Sequence, residues 1–388
     1  MTSAEAPTIS TSHLNAERQL LTGKAARELA PPESPTRLAW RQLKKNKLAI
    51  LGLWILIFMY SVAILGQFFA PFDYQDQNPQ GINASFHPPM KIRFRDGETG
   101  QFSPQPFVYG TLLQGGEWLP NPKNKLPLRF FIHGTPYKLW GVIPTDVHFF
   151  GAENGPVFLI GTDEFGRDYL SRLVYGSMIS LSVGFIGIII TFTLGMLVGG
   201  IAGYYGGRTD DIIMRGCEIM MSIPDFYLLL ALAAALPPTM SPVLVYFLII
   251  IILSFVGWAG MARIVRGMVL SVREREYVEA GKALGLSDLK IITRHVLPST
   301  FTYAIISATM SVPGYILAEA GLSFLGLGIR DPMASWGNML SAAQNLTTLT
   351  TRWWVLAPGF TIFLATLAFN FLGDGLRDAL DPKSRKLG

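Results

Sequence analysis

Uninterrupted apolar runs constrain this chain more than any other feature. Leu48–Ala70 reads LAILGLWILIFMYSVAILGQFFA, without a single charged residue. About 20 such residues wound as α-helix cross roughly 30 Å of hydrocarbon, so the run predicts a membrane-spanning helix. Further runs follow at Ser177–Gly203, Ile212–Leu236, Val243–Ala262, Phe301–Leu317 and Trp353–Leu372, giving six expected spans. The third is the least clean, because Arg215, Glu218 and Asp225 fall in its first half. Composition agrees, since half of the 388 residues are hydrophobic and only 15% are charged, a balance unusual for a soluble domain. The first run lies too far from Met1, and is too long, to be a secretory signal peptide, so it reads as an uncleaved span. The fold class expected is therefore an all-α polytopic membrane protein.

Lys and Arg in short loops set orientation, because positive loops stay in the cytoplasm. Lys44, Lys45 and Lys47 precede the first span, Arg208 and Arg215 follow the second, Arg263 to Arg294 follow the fourth, and Arg377 to Lys386 follow the sixth. The alternation predicts a cytoplasmic N-terminal tail over residues 1–47, a cytoplasmic C-terminal tail over 377–388, and an extracytoplasmic insert over 71–160. Met1–Pro35, rich in Ser, Thr, Ala, Glu and Pro, reads as a flexible tail. The insert is polar enough not to span and carries many Pro, Gly and aromatic residues; its LPLRFFIHG and YKLWGVI stretches predict short strands joined by turns, hence a small β-rich cap.

Several function classes find no support in the residues. The five histidines, His13, His87, His133, His148 and His295, are scattered and form no HExxH, and His133, Asp146 and His148 lack metal-site spacing. No paired acids or Ser/Lys pair within the spans suggests an intramembrane enzyme. The sole cysteine, Cys217, excludes an intrachain disulfide. No GxxxxGK[ST] occurs, so the chain lacks the usual phosphate cradle. Neither a cofactor nor a metal is expected. The net charge of +5 suits the anionic lipid surface of a membrane and gives no reason to expect nucleic acid.

Residues 268–298 carry too many charges to lie in lipid. Tyr277, Val278, Ala280, Gly281, Ala283 and Leu284 recur at helical spacing and predict a helix with a face of small residues. Gly285 suits a left-handed helix end, and Ser287 with Asp288 can begin a second helix. Pro298 then suits the entry to the fifth span.

These residues resemble the EAA signature of ATP-binding-cassette importer permeases. Glu279 and Ala280 match, Gly281 stands where a second Ala is usual, Gly285, Leu297 and Pro298 match in spacing, and His295 occupies an Ile position. The resemblance implies that the corner from Ala283 and Leu284 through Gly285, Leu286 and Ser287 to Asp288 is a coupling helix that docks in a partner ATPase. GTDEFGRDYLSRLVYGSMISL (Gly161–Leu181) and AEAGLSFLGLGIRDPMASWGNML (Ala318–Leu340) resemble the C-type permease subunits of the dipeptide, oligopeptide and nickel importer subfamily. In Gly161–Leu181, Phe165, Tyr169, Leu170 and Leu173 oppose Arg167, Asp168 and Arg172, predicting a short interfacial helix before the second span, capped by Thr162 or Asp163.

What the resemblance implies is a six-helix type I importer fold with its permease core at residues 161–376. The chain would form half of a translocation path for di- or oligopeptides in a bacterial or archaeal plasma membrane. Its implied partners are a homologous second permease subunit, two cytoplasmic ATP-binding subunits and an extracytoplasmic solute-binding protein. It would not itself be an enzyme. Nickel or another small solute is the alternative cargo, and a stand-alone secondary transporter is the less favoured alternative. Glu319, at the far end of the fifth span, is either a path residue or a packing carboxylate, because an acid at membrane depth is costly unless it serves one or the other. Asp225, after Pro224 in the third run, presents the same choice. Gly195, Gly199, Gly200 and Gly203 have the spacing that lets helices approach closely.

Overall fold

The structure, a computed structural model, describes residues 35–77 and 84–380; most of the expected N-terminal tail, and residues 381–388 of the C-terminal one, lie outside the described residues. Pro35–Leu43 is already helical (α1), and the last helix runs on to Leu380.

The first span is α2, Lys47–Ile64, capped by Asn46, whose Oδ1 accepts the Ala49 N–H at 3.2 Å. A single turn, α3 (Gly66–Phe69), leads into the insert. The second span is α4, Tyr169–Tyr205, ended by Gly206 at φ +65°. The third run of the sequence becomes two helices, α5 (Gly207–Ser222) and α6 (Asp225–Ala234), bent by 79° at their break. Pro224 lacks a backbone N–H and forces Ile223 into extended geometry, so the helix cannot pass through. The fourth span is α7, Pro242–Val272, with Ser241 at its N-cap. Two short helices follow, α8 (Glu276–Ala283) and α9 (Asp288–Ile291). A wide π turn, Ile292–Val296, joins α9 to α10 (Leu297–Phe324), the fifth span. After α11 (Trp336–Leu340) and α12 (Leu346–Thr351), α13 (Ala357–Leu380) is the last span. Among the described residues five helices are long and apolar enough to cross a membrane, or six if the bent pair counts as one span.

The core lies where α4, α7, α10 and α13 meet, with Val183, Ile249, Ile316 and Ala365 buried there. The expected glycine spacing is realised along α4 against α7. A Cβ on Gly203 would lie 2.8 Å from the Val269 Cβ, and one on Gly199 2.9 Å from the Val265 Cβ. Gly200 faces Leu297 instead, where a Cβ would meet Cδ2 at 2.8 Å.

The insert holds two antiparallel sheets. Strands β1 (Arg93–Arg95), β2 (Phe102–Gln114) and β3 (Glu117–Pro127) form one, with Gly115 and Gly116, both at positive φ, turning β2 into β3. Strands β4 (Arg129–Leu139) and β5 (Ile143–Gly151) form the other. The two stretches expected as separate strands thus merge largely into β4, with an irregularity between His133 and Tyr137. Val108, Leu126, Ala152 and Val157 make the small apolar core beneath.

The expected interfacial helix before the second span is absent from the structure; α4 starts directly at Tyr169. Its cap is Asp168, whose Oδ2 accepts from the Ser171 N–H (2.7 Å) and hydroxyl (2.6 Å). Thr162 and Asp163 are committed elsewhere. The Thr162 Oγ1 bonds the Ala84 carbonyl and the His87 N–H, while the Asp163 carboxylate accepts from the Phe165 and Arg167 N–H groups at 2.9 and 3.0 Å.

Candidate functional site

The charged loop folds as the sequence predicts at its corner. Helix α8 ends with Gly285 at φ +71°; its N–H bonds the Lys282 carbonyl (2.9 Å) and the Leu286 N–H reaches the Gly281 carbonyl (3.2 Å). That pair of bonds is the Schellman ending, which satisfies carbonyls the helix would otherwise leave open. Val278 and Gly281 turn inward and are buried, whereas Glu279, Ala280 and Ala283 face outward. A Cβ on Gly281 would meet Ile291 and Leu286 at 3.7 Å, ordinary contact, so the alanine usual in the signature would also fit.

The corner presents bare leucines. Leu284 is 80% exposed and Leu289 67%, while Leu297 is buried and Pro298 opens α10. Ser287 occupies the N-cap of α9 with extended geometry but makes no side-chain capping bond. Asp288 accepts instead from the Tyr204 hydroxyl at the end of α4, at 2.9 Å. His295 sits half-buried within the π turn.

Deeper in the membrane region lies a cleft of about 560 Å³ between α4, α6, α7 and α10. Asp225 lines it from the break between α5 and α6, together with Thr191, Arg263, Ser307, Ser311 and Tyr315. The Thr191 and Tyr315 hydroxyls bond one another across it.

Glu319 does not line this cleft. It is fully buried, and its carboxylate accepts from the Ser180 hydroxyl of α4 (3.0 Å) and the Ser323 hydroxyl (2.7 Å). Each serine then accepts a backbone N–H from the segment after α10, Ser180 from Trp336 (3.1 Å) and Ser323 from Ile329 (2.9 Å). The acid therefore fastens the chain after α10 to both helices.

An ion cluster above it escaped the sequence reading. Arg167 Nε meets Asp163 Oδ2 at 2.6 Å, and Asp331 Oδ1 accepts from Arg167 Nη1 (3.0 Å) and Arg172 Nη2 (2.9 Å). The arginine side chains are only 5% and 3% exposed. The cluster ties the segment around Asp163 to the one around Asp331, and the opposite charges in those two motifs were its signal. Nearby, burial pushes the Asp168 carboxyl up to about 7, and among the described residues its Oδ1 has no hydrogen-bond partner.

Known proteins resemble this chain in sequence. Residues 195–386 fit the family described as "Binding-protein-dependent transport system inner membrane component", and residues 34–89 fit the "N-terminal TM domain of oligopeptide transport permease C". The dipeptide transport system permease protein DppC of Bacillus subtilis is 38% identical over 357 residues, covering 92% of this chain and 88% of the relative. The chain belongs to this permease family. The oligopeptide transport system permease protein OppC of Haemophilus influenzae is 41% identical over 260 residues, 66% of this permease and 78% of the relative. Among solved structures, the inward-facing MetNI methionine ABC transporter is 17% identical, with a TM-score of 0.42 over 54% of this permease and 96% of that chain. Its curated relatives are membrane permease subunits of transport systems, and the fold of membrane-length helices agrees with that membership.

Proposed function

We propose that this permease forms half of the translocation path of an ATP-driven importer for di- or oligopeptides. In this reading a homologous second permease subunit closes the cleft, an extracytoplasmic binding protein delivers peptide, and two cytoplasmic ATP-binding subunits supply energy. The names of the relatives favour a peptide cargo. The family description favours a plasma membrane of a bacterium or archaeon, and the alternation of basic loops favours both termini and the corner in the cytoplasm. Exposed apolar residues on α5 and α6, Ile212, Ile219, Phe226 and Tyr227, give the second permease subunit a surface beside the cleft. Asp225 would face the path, and Glu319 would hold its frame.

One observation carries the proposal. The corner at Gly285 sets two bare leucines, Leu284 and Leu289, on a loop too charged for lipid, which is the surface an ATPase cleft would cover. Because α9, the π turn and α10 run on without a loop, a push at the corner reaches Tyr315 in the cleft through one element. Leu284→Glu tests this: membrane insertion should be unchanged, while copurification with the ATP-binding subunits and ATP-driven peptide uptake are lost. Retention of both would remove the docking role.

A further inference from the structure

The β4–β5 hairpin has no part in the path described above, yet its tip is unusually apolar. Turns that face water favour Gly, Asn, Asp and Ser. Here the turn is Trp140–Gly141–Val142, with Trp140 59% and Val142 77% exposed and Ile143 exposed beside them. Trp140 also holds φ +53°, a region that bulky side chains rarely adopt.

The position of the tip indicates what covers it. The Trp140 indole N–H donates to the Ile64 carbonyl at 2.8 Å. Ile64 is the last residue of the first span, and its carbonyl is one of those that a helix end leaves without an intrahelical donor. The tip is thereby fixed level with the hydrocarbon boundary. Beneath it runs an apolar groove of about 700 Å³, bounded by Tyr60 and Ile64 of α2, Phe185 of α4, Leu372 of α13 and Trp140 itself. The groove continues into the exposed Ile57 and Phe58 side of α2, a helix that contributes no residue to the cleft. Aromatic rings flank it at the same level: Phe68 packs 6.1 Å from Phe131 and 5.8 Å from Phe149. Tryptophan prefers this depth, where its ring meets lipid while its N–H bonds a polar group. Exposed Lys138 precedes the tip and suits a lipid phosphate.

We propose that the β4–β5 tip is seated in the lipid leaflet on the insert side of the membrane, with Trp140 roofing a groove that holds a phospholipid acyl chain. The insert is then anchored by lipid as well as by its chain connections, and its second sheet rides on the bilayer surface.

The test uses the permease assembled with its partner subunits in lipid nanodiscs. Cys217→Ala removes the single native thiol, Val142→Cys receives a bimane label, and Glu98→Cys, at the exposed β1–β2 turn, is the water-facing control. The label at position 142 should emit to the blue of the control. It should be quenched by phosphatidylcholine brominated near the headgroup end of its chains and be insensitive to acrylamide, with the control showing the reverse. Quenching of position 142 by acrylamide would place the tip in water, and quenching by neither agent would place it under another protein; either result overturns the proposal. As a second measurement on the otherwise native chain, Trp140→Phe should lower the brominated-lipid quenching of intrinsic tryptophan fluorescence, and unchanged quenching would overturn the assignment of Trp140 to the groove.

Discussion

Glu319→Gln separates a frame residue from a path residue, and the structure sets the size of the effect. Both serine hydroxyls that donate to the carboxylate are already used as acceptors by backbone N–H groups of Trp336 and Ile329. A glutamine can accept from only one of them, and its NH₂ group faces the other, leaving that hydroxyl proton without a partner in a fully buried site. Losing one buried bond of this type costs about 2 kcal/mol. At about 2–4 °C per kcal/mol for a chain of a few hundred residues, the unfolding midpoint in nanodiscs should fall by roughly 4–8 °C. Peptide uptake per folded molecule should stay near that of the parent. An unchanged midpoint together with altered uptake at normal membrane levels would refute the framing role and return Glu319 to the path.

Gly285→Arg places a side chain in open space but at φ +71°, so it should cost about 1 kcal/mol locally; the variant should reach the membrane normally yet lose copurification with its ATP-binding subunits. Gly199→Leu forces a side chain against Val265 and the α7 backbone; overpacking of about 1–3 kcal/mol or more should appear as loss of monodisperse protein in size-exclusion chromatography. Burial raises the Asp168 carboxyl to about 7 in the folded chain, against about 3.9 when unfolded. The folded state therefore binds the extra proton, and the stability it contributes is complete below about pH 4 and lost as pH rises through about 7. Asp168→Asn keeps a capping oxygen and should flatten the fall of the unfolding midpoint between about pH 4 and pH 7. A reporter inserted after Gln114 should be labelled from outside the cell, and one fused after Gly388 only from the cytoplasm.

The parts of the fold that depend on local pattern were legible in the sequence. Long apolar runs gave the spans, the spacing of Gly199 and Gly203 gave the close approach of α4 to α7, and Gly285 gave a left-handed corner. Misreadings arose where distant residues decide. The charges of the third run marked a weak span, but that Pro224 breaks it into two helices bent by 79° is seen only in the fold. Asp163 looked like a helix cap from its neighbours alone, and only Arg167 and Asp331, the latter far along the chain, reveal its actual task. Val278 and Gly281 read as members of one small-residue helix face with Leu284, yet α8 buries the first two and leaves Leu284 bare. The Glu319 serines come from α4 and α10, a convergence that no spacing rule could express.

The π turn at Ile292–Val296 has a geometric consequence of its own. A π turn holds one residue more than an α turn would in the same place. Each residue of α-helix advances the azimuth by about 100°, so that extra residue sets the bearing of α8 and α9 relative to α10. Deleting Thr293, which is exposed within the turn, would restore regular pitch and swing the bare leucines to another compass point without touching a span. The joint thus acts as an indexing step: one residue more or fewer within it sets the compass point of the corner, through the hydrogen-bond ladder rather than through the fold.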